Sequence, residues 1–148
     1  MKERYHVNIG SVLSLERINE NGEREILLQL RQNTGYMDGM YALVAGHVEV
    51  GESFKEAIIR EAKEEVGITI KEENMDYVCA IRRGTNSEYI NMYLACSEYE
   101  GIEENIEVEK CEEIRWIDID NLPDNVIEND RRAIYNLNND ISFEEYDF

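Results

Sequence analysis

The stretch that most constrains the fold is residues 46–68, GHVEVGESFKEAIIREAKEEVGI. Ser53 and Glu56 have the S-x-x-E spacing of a helix capping box, and Gly67 stands where a left-handed residue commonly ends a helix. We therefore predict a helix over 54–66 whose beginning and end are both encoded locally. A glycine-containing loop leads into it.

The faces of this helix predict a cation site. At about 100° per residue, one arc is apolar and must face the core. Its members are Ile58, Ile59, Ala62 and Val66. The adjacent arc carries three carboxylates, Glu61, Glu64 and Glu65. Like charges at this spacing repel one another, and more strongly when they are partly desolvated. Hard oxygen ligands without Cys or His beside them favour Mg²⁺ or Mn²⁺, and such an ion would bridge the carboxylates to a polyphosphate.

The composition limits the partners. The 148-residue chain is 43% hydrophobic, which fits one domain over 1–148, and its formal net charge is −18. This charge repels phosphate backbones and anionic head groups, so we expect no binding to nucleic acid or membrane, and an anionic ligand would need a cation. The N-terminal segment is polar, and no apolar run approaches the roughly 20 residues that a membrane span needs, so we predict a cytoplasmic protein. We expect a monomer or a homodimer. Three well-separated cysteines predict buried, reduced thiols: Cys79, Cys96 and Cys111.

Outside the helix, alternation predicts strands. Val7, Ile9, Leu13 and Leu15 fall on alternate positions of VNIGSVLSL, which predicts a strand with these residues on one buried face. A turn at Asn21-Gly22 joins it to EILLQLR in a hairpin. A loop over 32–40 leads to a short strand, YALV. Further predicted elements are a hairpin of YVCAIRR and EYINMYLACS joined by RRGTNSE, a strand EIRWIDI, and a closing helix in VIENDRRAIYNL. Pro123 and Asp124 give the closing helix a stop-then-cap signal, and the tail ISFEEYDF either frays or docks by its aromatic rings. Together these elements predict a mixed sheet with a helix on each face.

The spacing around the helix resembles a family signature. Gly46, five residues, Glu52, seven residues, and then REAKEEVGI from Arg60 is similar to the Nudix hydrolase pattern G-x5-E-x7-R-E-U-x-E-E-x-G-U. The one departure is Ala62, which replaces a larger aliphatic residue on the apolar arc and so concerns packing. The resemblance implies a Nudix-type α/β/α sandwich. It also implies Mg²⁺-dependent hydrolysis, with Mn²⁺ as a substitute, of a small nucleotide substrate in which a nucleoside diphosphate is linked to another moiety.

The resemblance also implies roles for single residues. Glu64 and Glu65 would bind the metal, and Glu61 would be either a ligand or the base that activates water. Arg60 would orient a glutamate, and Glu52 would pair with Arg60.

Two predicted metal ligands lie outside these positions. The carbonyl of Ala45, just before the signature, would be a backbone ligand. A further carboxylate often joins the metals in this family; Glu107 is the candidate because it precedes the Trp116 strand by a loop, with Glu104 and Glu109 as alternatives.

Substrate-binding candidates come from isolated residues. Arg31 and Arg83 could bind phosphates, against the alternative that they balance an acidic surface. Tyr36 could stack on a base, against the alternative of a core or rim aromatic.

The sequence leaves the reaction partly open. The segment GYMDGMYALVAGHVEVGES resembles that of family members that act on nucleoside triphosphates. The alternative is a non-catalytic nucleotide-sensing or divalent-ion-binding domain on the same fold. An intact signature counts against that alternative.

Overall fold

A computed structural model describes residues 2–85 and 89–148 of the chain. In these ranges the chain forms a mixed β-sheet assembly with two α-helices. The strands are β1 (Asn8–Ile18), β2 (Arg24–Arg31), β3 (Tyr41–Ala42), β4 (Val44–His47), β5 (Met75–Arg83), β6 (Tyr89–Cys96), β7 (Cys111–Asp118) and β8 (Phe143–Tyr146). The helices are α1 (Phe54–Val66) and α2 (Glu128–Asn138), and Glu72–Asn74 form a single 3₁₀ turn.

Strand β1 is the centre of the sheet. It pairs antiparallel with β2 and β4 and parallel with β6, and the main path runs β3-β2-β1-β6-β5-β8. Strand β7 pairs antiparallel with β2. Both predicted hairpins are confirmed by antiparallel pairing of β1 with β2 and of β5 with β6. Within the connection predicted at RRGTNSE, positions 86–88 lie outside the described residues.

Each face of the sheet buries one helix. Ile58, Ala62 and Val66 of α1 pack in one core cluster, and Ala133 and Ile134 of α2 pack in the other. The predicted helix on each face is therefore confirmed.

The expectation of one buried face on the first strand is wrong. Leu13 packs in the core with α1, whereas the neighbouring Val12 packs in the core with α2. Ile9, which alternation placed inside, is 40% exposed. A central strand with a helix on each side is buried on both faces, so its middle loses the in-out alternation.

The predicted strand YALV divides into two. Tyr41–Ala42 pairs with β2, and Val44–His47 pairs with β1. Leu43 lies at the crossing, where its backbone N–H donates to Asp130 Oδ2 at 2.9 Å instead of to a neighbouring strand. This crossing brings the start of the signature beside α1.

Helix α2 begins later than its predicted cap. The N-cap position is Ile127, which makes no side-chain capping bond, so the cap expected at Asp124 is wrong. The residues before it form a turn at 124–125 and then an isolated parallel bridge between Val126 and Tyr41, in which Tyr41 N–H donates to Asn125 O at 2.7 Å and Ile127 N–H donates to Tyr41 O at 3.0 Å.

The remaining predictions concern the tail and the cysteines. The tail docks as β8, which pairs parallel with β5. Of its aromatic rings, Tyr146 packs against the core with α2, while Phe143 stays 56% exposed. The three cysteines are free and buried, as predicted. Neither helix in the described ranges combines the length and apolarity that a bilayer span requires.

Candidate active site

Helix α1 is fixed at both ends by its own sequence. The Ser53 hydroxyl accepts from Glu56 N–H at 3.0 Å, and Glu56 Oε1 accepts from Ser53 N–H at 3.2 Å. Gly67 follows with φ 73°, and its N–H donates to Lys63 O. The predicted bounds and capping box are confirmed, so the glutamates project from a helix with a defined rotation.

Arg60 is the hub of the carboxylates. Its guanidinium binds Glu52 through two parallel bonds, Nε to Oε2 at 2.8 Å and Nη2 to Oε1 at 3.0 Å. Nη1 donates to Glu61 Oε1 at 2.7 Å, and Nη2 also donates to the carbonyl of His47 at 3.0 Å. The Arg60 bonds lower the pKa of Glu52 to about 2. The same guanidinium thus ties the loop to the first glutamate of the cluster.

Gly46 leaves room for the Glu61 side chain. A Cβ atom at Gly46 would lie 2.1 Å from Glu61 Cδ and 2.4 Å from Glu61 Cγ. A side chain at position 46 would therefore displace Glu61. Burial raises the pKa of the Glu61 carboxyl, Arg60 opposes this, and the charges of Glu64 and Glu107 add to the rise.

Glu65 carries the strongest sign of a missing partner. Its Oε1 accepts from Gln29 Nε2 at a long 3.4 Å, and its buried Oε2 has no hydrogen-bond partner among the described residues. Burial, then the charges of Glu61 and Glu107, raise the pKa of Glu65 to about 8, against hydrogen bonds from Gln29 and the Ala45 backbone. This carboxylate needs a proton or a cation.

Gln29 was missed by the sequence analysis. It is buried in β2 and lies between the apolar residues of EILLQLR. A single polar residue inside an apolar strand is the signal that could have identified it.

Glu64 differs from its neighbours. Its side chain is 55% exposed, and Oε2 lies 3.5 Å from Arg60 Nη1. In residues 2–85 and 89–148, no three His, Cys, Asp or Glu side chains are arranged so that they could enclose an ion. Cation binding would therefore require rotation of side chains, with Glu64 turning inward. The hard oxygen donors and the unpaired Glu65 Oε2 fit a divalent cation.

The outer carboxylate candidate lies on a loop that docks on the end of α1. Glu104 N–H donates to Val66 O at 3.0 Å, and Ile106 N–H donates to Glu65 O at 3.3 Å. Of the three alternatives, Glu107 is the one whose charge raises the pKa of both Glu61 and Glu65. The loop brings Glu107 to the cluster, while Glu104 uses its backbone to bind the helix.

Arg31 and Tyr36 are brought together. Arg31 Nε donates to Tyr36 O at 2.9 Å, and its guanidinium carbon lies 5.6 Å from the centroid of the Tyr36 ring. Arg31 lies two residues after Gln29 on β2, at the end of the strand that leads into the loop of Tyr36. Tyr36 is 56% exposed, which leaves its ring available to a ligand.

Arg83 has other contacts. It binds Asp147 Oδ2 at 3.0 Å and lies 5.5 Å from the ring centroid of Tyr146. In β5 it follows Ile81 by two residues, and Ile81 packs in the core with α2. The structure therefore does not bring Arg83 to the glutamates, and substrate binding by Arg83 stays a prediction without a supporting contact.

The fold and this arrangement define the class of protein. Residues 8–137 match the NUDIX domain family, and the chain belongs to that family, which confirms the resemblance and the α/β/α fold class. The prediction of a hydrolase is confirmed at the level of the family.

Individual relatives agree with this assignment. The NAD-capped RNA hydrolase NudC of Escherichia coli O1:K1 is 30% identical over 122 residues, which are 82% of this chain and 44% of the relative. The chain thus spans less than half the length of this relative.

Two solved structures share the fold at lower identity. A MutT NUDIX hydrolase from Burkholderia pseudomallei has a TM-score of 0.77 at 21% identity, covering 88% of this chain and 97% of that chain. The NUDIX domain of Shewanella oneidensis NrtR, complexed with ADP ribose, has a TM-score of 0.72 at 12% identity, covering 93% and 89%.

Proposed function

We propose that this protein is a Mg²⁺-dependent hydrolase that cleaves the pyrophosphate linkage of a nucleoside diphosphate joined to another moiety, nucleoside triphosphates included. One observation carries the proposal: the buried Glu65 Oε2 has no hydrogen-bond partner within residues 2–85 and 89–148, and it lies in a cluster of carboxylates that raise one another's pKa. Such a cluster destabilises a fold unless it has a ligand to bind, and perturbed carboxylates of this kind gather at functional sites.

The protein's own residues have separate tasks. Glu65 and Glu64 would hold the cation, with the Ala45 carbonyl as a backbone ligand, and the bound divalent ion would supply charge neutralisation and Lewis acidity toward the phosphates. Arg60, held by two bonds to Glu52, orients the Glu61 carboxylate.

Two carboxylates are candidates for moving the proton. Glu61 is either a ligand or the base that accepts a proton from the attacking water. Glu107, opposite α1, has the same two choices. A raised pKa, as Glu61 has, suits a base that works near neutral pH.

The Arg31–Tyr36 pair is the proposed substrate contact outside the signature. The exposed ring can stack on a base or another planar group, and the guanidinium can bind a phosphate. The name of NudC describes NAD-capped RNA as a substrate of that protein. For the present chain a charge of −18 disfavours contact with the body of an RNA, so we propose recognition limited to the small nucleotide.

A substrate panel tests the proposal. The protein is incubated with Mg²⁺, and separately with Mn²⁺, together with nucleoside triphosphates, ADP-ribose, NAD and an NAD-capped RNA, and phosphate and monophosphate release is followed by chromatography. We expect turnover of at least one small nucleotide, and its loss in Glu65→Gln. Binding of these compounds without turnover under either metal would contradict the proposal and favour a nucleotide-sensing domain.

A further inference from the structure

Glu107 lies at the start of a tight turn, residues 107–111, that leads into β7. Lys110 N–H and Cys111 N–H both donate to Glu107 O at 2.9 Å, which closes the turn. A closed turn on an edge strand does not by itself fix where it lies relative to another element. Contacts from outside must therefore place Glu107 opposite α1.

Three side-chain amides supply these outside contacts. The bonds are Gln32 Nε2 to Val108 O at 2.9 Å, Asn33 Nδ2 to Glu109 O at 3.1 Å, and Asn105 Nδ2 to Cys111 O at 2.8 Å. The backbone N–H of Gln32 donates to Lys110 O at 2.9 Å as well. Four successive carbonyls of the turn thus each accept a bond from one of three residues. We call Gln32, Asn33 and Asn105 the amide clamp.

The amide clamp attaches the turn to two parts of the site. Asn105 lies between Glu104 and Ile106, whose N–H groups bind the last carbonyls of α1. Gln32 and Asn33 directly follow Arg31 and open the loop that carries Tyr36. The glutamate helix, the Glu107 turn and the Arg31–Tyr36 pair are therefore linked through these amides.

The side chain of Asn105 contains a buried polar atom that lowers the stability of the fold. Its Oδ1 is buried and has no hydrogen-bond partner among the described residues, although its Nδ2 is satisfied. A buried unpaired carbonyl destabilises a protein. We therefore attribute the role of Asn105 to its Nδ2, which places the turn.

We propose that the amide clamp, and Asn105 above all, positions the Glu107 carboxylate for cation binding at the α1 glutamates. This inference rests on the proposed function, because it requires Glu107 to take part in the metal site. Asn105 is a positioning residue: it acts through Glu107 and touches neither cation nor substrate.

A double-mutant cycle read by metal binding tests this inference. The dissociation constant for Mn²⁺ alone is measured for the parent, Asn105→Ala, Glu107→Gln and the double variant. We expect Asn105→Ala to weaken Mn²⁺ binding about 10-fold, the lower end of the effect of removing a group that orients a ligand. In the Glu107→Gln background the same change should add less than 2-fold, since there is no carboxylate left to position.

Two outcomes overturn the inference. One is an equal loss from Asn105→Ala in both backgrounds, which would mean a general structural effect. The other is unchanged Mn²⁺ affinity in Asn105→Ala. Should Asn105→Ala fail to fold, Asn33→Gly removes another amide of the clamp from an exposed position, since glycine adopts the left-handed backbone of Asn33 (φ 55°) without strain, and it enters the same cycle with the same criteria.

Matched variants separate this test from that of the proposed function. Asn139 Nδ2 also donates to a backbone carbonyl at 2.8 Å, that of Tyr135 at the end of α2, and Asn139→Ala should leave Mn²⁺ affinity unchanged. Parent-like Mn²⁺ binding in Glu65→Gln would contradict the proposed metal site. Weaker Mn²⁺ binding in Glu65→Gln, together with additive effects of Asn105→Ala and Glu107→Gln on Mn²⁺ affinity, would contradict the amide clamp and leave the proposed metal site intact.

Discussion

At the residue scale, Arg60 shows why the chemistry depends on geometry as well as charge. Its guanidinium binds both oxygens of Glu52, one oxygen of Glu61 and the carbonyl of His47. An ammonium group has three donors on one atom and cannot span these acceptors. The orientation of Glu61 therefore requires arginine.

We predict that Arg60→Lys lowers kcat about 10- to 100-fold, because Glu61 loses the partner that fixes its direction. The measurement is steady-state kinetics on whichever substrate the panel identifies. Arg24→Lys is the control, since Arg24 makes a comparable 2.7 Å pair with Glu16 on an exposed hairpin. An equal loss in both variants would show that arginine pairs matter to this protein generally and not at Arg60.

Gly46 gives a second prediction at this scale. Gly46→Ala should destabilise the protein by about 1–3 kcal/mol, the usual cost of overpacking, because the new Cβ overlaps Glu61 Cγ and Cδ. Urea unfolding measures the change. In Glu61→Ala those atoms are gone, so Gly46→Ala should cost little there. The same cost in both backgrounds would place the conflict elsewhere.

Sequence reasoning reached some of these residues and not others. Arg60, Glu52 and the three glutamates belong to one short segment, so their spacing determines how they meet. Gln29 reaches Glu65 from a strand far away in the chain, and Asn105 binds Cys111 O from a loop that follows the signature by more than 30 residues. Nothing local encodes that meeting.

At the element scale, the crossing between β3 and β4 depends on α2. Asp130, in the first turn of α2, accepts from Leu43 N–H at 2.9 Å and from the Tyr93 hydroxyl at 3.1 Å. Burial raises the pKa of Asp130 to about 6, against both hydrogen bonds and the charge of Arg31. In the unfolded chain the pKa of an aspartate is about 3.9.

This shift predicts a pH dependence. The folded state binds the Asp130 proton more tightly than the unfolded state does. The contribution of Asp130 to stability is therefore full below about pH 4 and is lost as the pH rises through about 6. Asp130→Asn cannot titrate. As the pH rises from 4 to 7, the free energy of unfolding of the variant should therefore increase relative to that of the parent, by up to about 1.4 kcal/mol per pH unit. Urea unfolding at each pH measures this difference, and a constant difference would contradict the assignment.

The same contacts explain which elements the sequence predicted well. Helix α1 has both caps in its own sequence and was predicted with its observed bounds. The YALV strand and the start of α2 were predicted less well. There Ile127 N–H donates to Tyr41 O, and Leu43 N–H donates to Asp130 of α2. Such hydrogen bonds between distant segments override the local sequence signals.

At the scale of the whole molecule, a charge of −18 and a local cluster of glutamates are different problems for stability. Any salt screens the diffuse repulsion, whereas only a divalent ion can bridge carboxylates. We predict that Mg²⁺ or Mn²⁺ raises the melting temperature more than monovalent salt at equal ionic strength. A ligand that binds only the native state adds about 2.7 kcal/mol at a hundredfold excess over Kd. Equal effects of both salts would contradict a specific site.

Glutamine variants then distinguish the cluster from the overall charge. Glu65→Gln and Glu73→Gln each replace a glutamate by its neutral amide, but Glu65 is in the cluster, whereas Glu73 is exposed and lies in the 3₁₀ turn beyond the end of α1. Without metal at pH 8, where a pKa of about 8 leaves Glu65 partly ionised, Glu65→Gln should raise the free energy of unfolding and Glu73→Gln should not. Glu65→Gln should also abolish the divalent-specific increment, which Glu73→Gln should retain. Differential scanning fluorimetry with and without Mg²⁺ measures the increments, and urea unfolding at pH 8 measures the metal-free stabilities. Lower metal-free stability in Glu65→Gln than in the parent would mean that the Gln29 and Ala45 bonds to this carboxylate outweigh its repulsion from the other glutamates. Glu65 would then be a structural partner of β2 and β4, and not a metal ligand that destabilises the fold.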